Sequence, residues 1–225
     1  MKIIFVRHGH PDYSKDCLTA LGHPQAEAAA ERLKNEKIDK IFSSSCGRAY
    51  ETACHIAARH NLEITQLDFM REMHWGTPGT DDFSHPWESV DEWVSNGIEI
   101  LDFNWRNNAE YKGRIVLKSY DKVVSGFDEW MREQGFEREG SYYRVTQKND
   151  QTIMLVSHGG SSSAVFSHIF NLPFPFICKT IRPYFTAITE VSFIGDEGEL
   201  IAPKFDLVND SRHTNGITAE NVLGR

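Results

Sequence analysis

Lys2-Ile3-Ile4-Phe5-Val6 is a continuous apolar run that stops at Arg7-His8-Gly9-His10. A run this short, without polar alternation and closed by glycine, reads as a strand buried on both faces and ending in a loop. In open α/β sheets the reactive groups collect where strands end at the carboxyl edge. Here that edge presents a guanidinium, an imidazole and a glycine that admits close backbone approach. These are parts for capturing a phosphoryl group: a fixed cation for its oxygens and a nitrogen nucleophile for its phosphorus.

A second run ends in the same way. Thr152-Ile153-Met154-Leu155-Val156 passes into Ser157-His158-Gly159-Gly160. If both strands are central and parallel, both imidazoles emerge at one edge of the sheet. A lone histidine after a strand is usually structural, and the matched pair is what points to function.

Between these strands the chain alternates. His10 to Cys17 is polar and reads as a loop; Pro24 suits a first helical turn, and Ala26 to Lys34 is rich in helix formers. Lys40 to Ser43 is a short strand, followed by a helix from about Arg48 to His60 with Asn61 as its C-cap. Leu62 to Phe69 alternates as a half-buried strand does. Strand, helix, strand, helix, strand predicts a three-layer α/β/α domain with a mostly parallel central sheet.

The segment from about Thr77 to Asn149 reads as a helical insertion on a single domain spanning 1–225, of the kind that forms lids or specificity regions. Trp87 to Val94 suggests a short helix. From Val116, the apolar stripe Tyr120, Val123, Phe127, Trp130 predicts a longer helix ending near Gly135, its aromatic face packed on the core. Tyr142 to Val145 is a strand candidate. His74, Trp75, Trp87, Trp93 and Trp105 either line a pocket or pack a lid. A helix to about Phe170 follows Gly160, then strands at Thr186–Phe193 and Leu200–Val208 and a loose polar tail.

Composition narrows the function classes. With 225 residues, 40% hydrophobic and 25% charged, the chain is an ordinary globular protein able to bury a good core. Its net charge of −8 gives no nucleic-acid footprint and no attraction to an anionic membrane. The four cysteines, Cys17, Cys46, Cys54 and Cys178, show no C-x-x-C or zinc spacing, which fits buried free thiols in a reducing cytoplasm. The opening apolar run is too short for a signal-peptide core or a membrane span. No motif specifies an oligomeric state.

A third cation follows Ser43-Ser44-Ser45. Arg48 opens a helix, where backbone N–H groups and the helix dipole already favour an anion. The alternative is a surface pair with Glu51, which would contribute little.

Arg7-His8-Gly9, Leu18-Thr19-x-x-Gly22-x-x-Gln25-Ala26, Ser44-Ser45-x-x-Arg48-Ala49-x-x-Thr52-Ala53, Arg71-Glu72-x-x-Trp75-Gly76 and Ser157-His158-Gly159 come in this order. Together they resemble the histidine phosphatase superfamily, the phosphoglycerate-mutase-like proteins. The resemblance implies that His8 accepts the phosphoryl group as phosphohistidine and that Arg7, Arg48 and His158 clamp its oxygens. It implies that Glu72 protonates the leaving alkoxide and then activates water. Ser14 and Gly159 are further phosphate-binding candidates. The implied ligand is a small phosphorylated substrate, with no cofactor and no metal, since the arginines supply the positive charge. A carboxyl beside a dianion should be pushed toward its protonated form, as a general acid needs.

The chain also departs from the family's mutases, which carry Glu-Ser where this one has His10-Pro11. That difference favours hydrolysis of a phosphomonoester over mutase-type transfer. Asp206-Leu207-Val208-Asn209-Asp210-Ser211-Arg212-His213 resembles the Asn-Asp-x-x-His ending of alpha-ribazole-phosphatase-like members, and reads equally as an edge strand and loop. Two other classes stay open on the residues. His8-x-His10-x-Asp12 has the spacing of a divalent-metal hydrolase, although Tyr13 breaks the extended form. A binding module that kept the pocket is the other, against which the retained His8 and Glu72 argue.

Overall fold

The computed structural model describes residues 1–74, 76 and 86–217, without the side chains of 86–88. In chain order come β1 (Lys2–Arg7), β2 (Pro11–Asp12), β3 (Cys17–Leu18), α1 (Gly22–Leu33), β4 (Lys40–Ser44), α2 (Gly47–His60) and β5 (Ile64–Leu67). They are followed by α3 (Pro86–Ser95), α4 (Ile115–Glu133), β6 (Phe136–Glu139), β7 (Tyr142–Val145), β8 (Thr152–Ser157) and α5 (Gly159–Phe170). Last are α6 (Phe174–Thr180), β9 (Ile188–Ser192), β10 (Leu200–Ile201) and β11 (Lys204–Asp210).

Six strands build the main sheet in the order β11-β9-β1-β8-β4-β5. β1, β8, β4 and β5 run parallel, while β9 is antiparallel to both of its neighbours. The two apolar runs are therefore adjacent central strands, with Arg7 opposite Ser157 in register. Side chains alternate across the sheet. Ile3, Phe5, Ile153 and Leu155 join the core under α4 and α5, and Ile4, Val6, Met154 and Val156 join the core under α1 and α2. This is why neither run alternates in polarity: both faces are covered, giving the α/β/α layers. α2 stops at Asn61, whose left-handed φ of 53° lets its N–H reach the Ala57 carbonyl.

Several expectations need correction. The loop expected from His10 to Cys17 contains the β2–β3 hairpin. The strand expected over Leu200–Val208 is two: β10 joins β7 and β6 in a separate three-stranded sheet, and β11 joins the main one. The break falls at Ala202-Pro203, where proline has no N–H to give a ladder. β6 and α6 had no clear pattern of their own in the sequence. Of the supposed insertion, α4 forms part of the sheet's helical layer: Phe127 lies 6.4 Å from Phe5 and Trp130 lies 5.3 Å from Phe42, centroid to centroid. Trp93 and Trp105 pack around Tyr111, and Trp105 continues onto Phe174 of α6. Those two tryptophans are core. Trp75, the side chain of Trp87, residues 77–85 and the end of the tail, 218–225, lie outside the described residues. No helix among the described residues is long and apolar enough to cross a membrane.

Because Phe127 is fully buried between β1 and Trp130, Phe127→Ala should cost about 3–5 kcal/mol. Urea denaturation measures this, and a change within about 0.5 kcal/mol would instead make α4 peripheral to the core.

Candidate active site

The carboxyl ends of β1 and β8 bring His8 and His158 to a ring separation of 5.0 Å. Both are essentially inaccessible, 1% and 0% exposed. Gly9 follows because the chain must turn against the start of α1: a Cβ there would lie 2.6 Å from the Gly22 carbonyl oxygen. Thr52 of α2 accepts the Gly9 N–H at 3.1 Å, and Gln25 of α1 accepts the His10 N–H at 2.7 Å. The scattered motif residues thus fasten the Arg7-His8-Gly9 turn to both helices of one layer.

The His8 ring has a defined chemical form. Its Nδ1 lies 2.7 Å from the Gly9 carbonyl, which can only accept, so Nδ1 carries the proton. Nε2 is left with its lone pair and receives the Arg48 Nε–H at 3.3 Å. Burial, then the charges of Arg7 and Arg48, hold His8 well below the usual histidine range. The ring is neutral and oriented, with a lone pair on Nε2.

Two arginines flank it. Arg7 Nη1 donates to the Pro183 carbonyl at 2.8 Å and its guanidinium lies 4.2 Å from the Phe185 ring centre. Arg48 projects from the first turn of α2 and is paired with Asp16, whose other oxygen accepts the Gly47 N–H at 2.8 Å. The alternative pairing with Glu51 is not formed: Glu51 accepts the Leu18 N–H at 2.7 Å. His158 Nε2 meets Ser44 Oγ at 2.8 Å. Burial, then the proximity of His8 and of the three arginines Arg48, Arg7 and Arg71, hold His158 well below the usual histidine range as well. Arg7 Nε and His158 Nδ1 are buried with no hydrogen-bond partner among the described residues. Such atoms are costly unless something polar reaches them.

Glu72 closes the site from the chain after β5. Its Oε1 accepts N–H groups from Met73 (2.9 Å), Gly160 (3.0 Å) and Ser161 (3.2 Å). The carboxyl is therefore seated on the N-terminus of α5, the helix that His158 caps, where the dipole favours it. Gly160 makes the seat possible, since a Cβ there would fall 2.6 Å from Oε1. Three backbone N–H groups thus converge on one oxygen of this carboxyl.

Arg7, His8, Arg48, Glu72 and His158 are thus brought together, and Gly159 opens α5 beside them. Ser14 is different: it is exposed and its hydroxyl donates to Asp12 at 2.6 Å. His10 bonds Thr19 at 2.9 Å and Asp12 also pairs with Lys15, so the three residues of the His8-x-His10-x-Asp12 pattern are held by different partners. Among the described residues no group of three or more histidines, cysteines or acids is gathered for a metal. Asp16 was not singled out in the sequence. No local pattern marks it, because its importance lies in reaching across to Arg48 and Gly47.

A profile of the histidine phosphatase superfamily (branch 1) matches residues 3–205. The chain belongs to the histidine phosphatase superfamily. It is 27% identical over 191 residues to glucosyl-3-phosphoglycerate phosphatase of Mycobacterium tuberculosis, with 76% of each chain covered. It is 26% identical over 171 residues to phosphoserine phosphatase 1 of Hydrogenobacter thermophilus, covering 70% of this chain and 71% of that one. Among solved structures, phosphoserine phosphatase from Entamoeba histolytica in complex with 3-phosphoglyceric acid superposes with a TM-score of 0.64 at 20% identity, over 94% of this chain and 98% of that one. Family and fold agree with a phosphomonoester hydrolase that works through phosphohistidine.

The two neutral histidines tie stability to pH. Below the unfolded histidine pKa of about 6.5 the unfolded chain binds protons that the folded chain refuses, so stability is full above that pH and falls as pH drops. Each histidine should contribute a slope of about 1.4 kcal/mol per pH unit below 6. Urea melts at pH 7.0, 6.0 and 5.5 should show a shallower decline for His158→Gln than for the wild type. Equal declines would mean that His158 is protonated in the folded protein.

Proposed function

We propose that the protein hydrolyses a small phosphorylated metabolite in two steps at His8. The observation that carries this reading is the His8 ring itself, its Nδ1–H fixed on Gly9 and its Nε2 lone pair among Arg7, Arg48 and His158. In the first step the Nε2 lone pair attacks phosphorus, the ester P–O bond breaks, and a proton from Glu72 Oε2 neutralises the departing alkoxide. In the second, the Glu72 carboxylate takes a proton from water as its oxygen attacks phosphorus. The P–N bond breaks, its electron pair returns to His8, and inorganic phosphate leaves.

Arg7 and Arg48 provide charge where the equatorial oxygens gain it. Arg7 Nε and His158 Nδ1, both buried and unpartnered in the described structure, would each be satisfied by a phosphoryl oxygen. The Gly159 N–H, at the start of α5, would add another donor. Ser14 would join only by releasing Asp12. With this cationic clamp no metal is needed to stabilise the transferring group.

The substrate class rests on the relatives named above, phosphatases of phosphoserine and glucosyl-3-phosphoglycerate. Water rather than the substrate's own skeleton receives the phosphoryl group, in keeping with His10-Pro11 beside the nucleophile. Cys46 and Cys178 are buried as expected, whereas Cys17 is half-buried and Cys54 exposed; the scattered cysteines still fit a cytoplasmic setting.

Hydrolysis of p-nitrophenyl phosphate in excess chelator tests the assignment. Wild-type turnover should survive the chelator, His8→Ala should abolish it, and Glu72→Gln should slow it about 10²–10⁴-fold. Chelator-sensitive turnover, or near-normal rates in His8→Ala, would contradict the mechanism.

A further inference from the structure

Residues 182–187, between α6 and β9, bear on both members of the Arg7-His8 pair. Besides the Pro183 carbonyl and Phe185 ring that hold the Arg7 guanidinium, the Ala187 carbonyl accepts the Arg7 N–H, and the Thr186 N–H donates to the His8 carbonyl, each at 3.3 Å. Thr186 has a φ of 54°, a left-handed conformation that a β-branched residue rarely adopts. Such a conformation persists where surrounding contacts over-determine it.

Those contacts come from the Asn209-Asp210-Ser211-Arg212-His213 stretch, which the chemistry above does not use. The Asn209 side chain bridges the loop at two points: Nδ2 donates to the Arg182 carbonyl and Oδ1 accepts the Tyr184 N–H, each at 2.8 Å. Its own N–H is anchored on Thr189 Oγ1 at 3.0 Å. His213 reaches the strained residue. Thr186 Oγ1 donates to the Phe185 carbonyl at 2.8 Å, so it faces His213 Nε2, at 3.2 Å, as an acceptor. Asp210 grips Arg212 through both oxygens, at 2.8 Å each, and holds the turn that carries His213.

We propose that Asn209 and His213 are positioning residues of the phosphoryl site, bracing residues 182–187 and thereby setting the Arg7 guanidinium and the His8 backbone. The proposal rests on the assignment of Arg7 and His8 to phosphoryl transfer. The Pro183 carbonyl and Phe185 ring fix where the rest of the guanidinium points. A displacement of about 1 Å in such a support is enough to cost about 10²-fold in rate. Asn209 is suited to its place in two ways: its short amide spans donor and acceptor at once, and asparagine tolerates the left-handed φ of 51° found there.

The test compares the full-length wild type with Asn209→Gly, Asn209→Asp, His213→Ala and His213→Gln. Asn209→Gly removes the amide and keeps the left-handed backbone free of strain. Asn209→Asp keeps the acceptor for Tyr184, and His213→Gln keeps a donor toward Thr186. Asp206→Ala, on the same strand and paired with Lys204, is the control. The measurements are kcat/KM for p-nitrophenyl phosphate, the inhibition constant of inorganic phosphate, and the thermal midpoint. In Asn209→Gly and His213→Ala, kcat/KM should fall and the phosphate constant should rise at least tenfold, with partial recovery in Asn209→Asp and His213→Gln and no change in Asp206→Ala. Should Asn209→Gly fail to fold, the His213→Ala and His213→Gln pair decides alone. A folded Asn209→Gly or His213→Ala with wild-type kcat/KM and phosphate inhibition overturns the proposal, whatever its thermal midpoint. A wild type that neither turns over nor binds phosphate overturns the site assignment beneath it.

Discussion

The parallel pairing of β1 with β8, in a register that sets Arg7 opposite Ser157, is the constraint on which the rest depends. Each strand must be apolar on both faces to lie at the centre of a covered sheet, and each ends one residue before a histidine. Side-by-side strands of matched length deliver the two rings to one edge without any loop having to find the other. A one-residue slip would turn every side chain of a strand to the opposite layer, so burial of Ile3, Phe5, Ile4 and Val6 secures the register and, with it, the site.

Charge is managed as tightly as packing. The protein carries a net −8, yet its site concentrates Arg7 and Arg48 around two neutral histidines. Two acids near this cluster are each fixed by defined partners. Asp16 ties Arg48 to the first turn of α2, and Glu72 is seated on three backbone N–H groups at the start of α5. An incoming dianion therefore meets fixed cations, while the Glu72 carboxyl is held by backbone N–H groups. The phosphoryl group can be stabilised without reorganising the site at the moment of transfer.

Much of this was legible in the residues. The two apolar runs, the Asn61 cap and the ordered motifs gave the layers and the cluster of Arg7, His8, Arg48, Glu72 and His158, because each depends on local pattern. What escaped depends on contacts between distant segments. The stripe on α4 announced a helix, but periodicity does not say which sheet covers it, so a core helix read as part of an insertion. Asp16 and the 182–187 loop act through hydrogen bonds between distant segments, for which no spacing exists, and the ending that holds Asn209 could be recognised without showing what its amide bridges. The short hairpin of β2 and β3 is held by Thr19 and Gln25 against His10, not by strand propensity.

The central claim is that His8 carries the phosphoryl group on Nε2, because Nδ1 is committed to Gly9. Rapid quenching into base during turnover of Glu72→Gln, followed by phosphorus–proton correlated NMR and peptide mapping, reads both the residue and the nitrogen. The account predicts an acid-labile phosphoryl group on His8 Nε2 and none in His8→Ala. Phosphate on Nδ1, on another residue, or on no residue while turnover proceeds would contradict it.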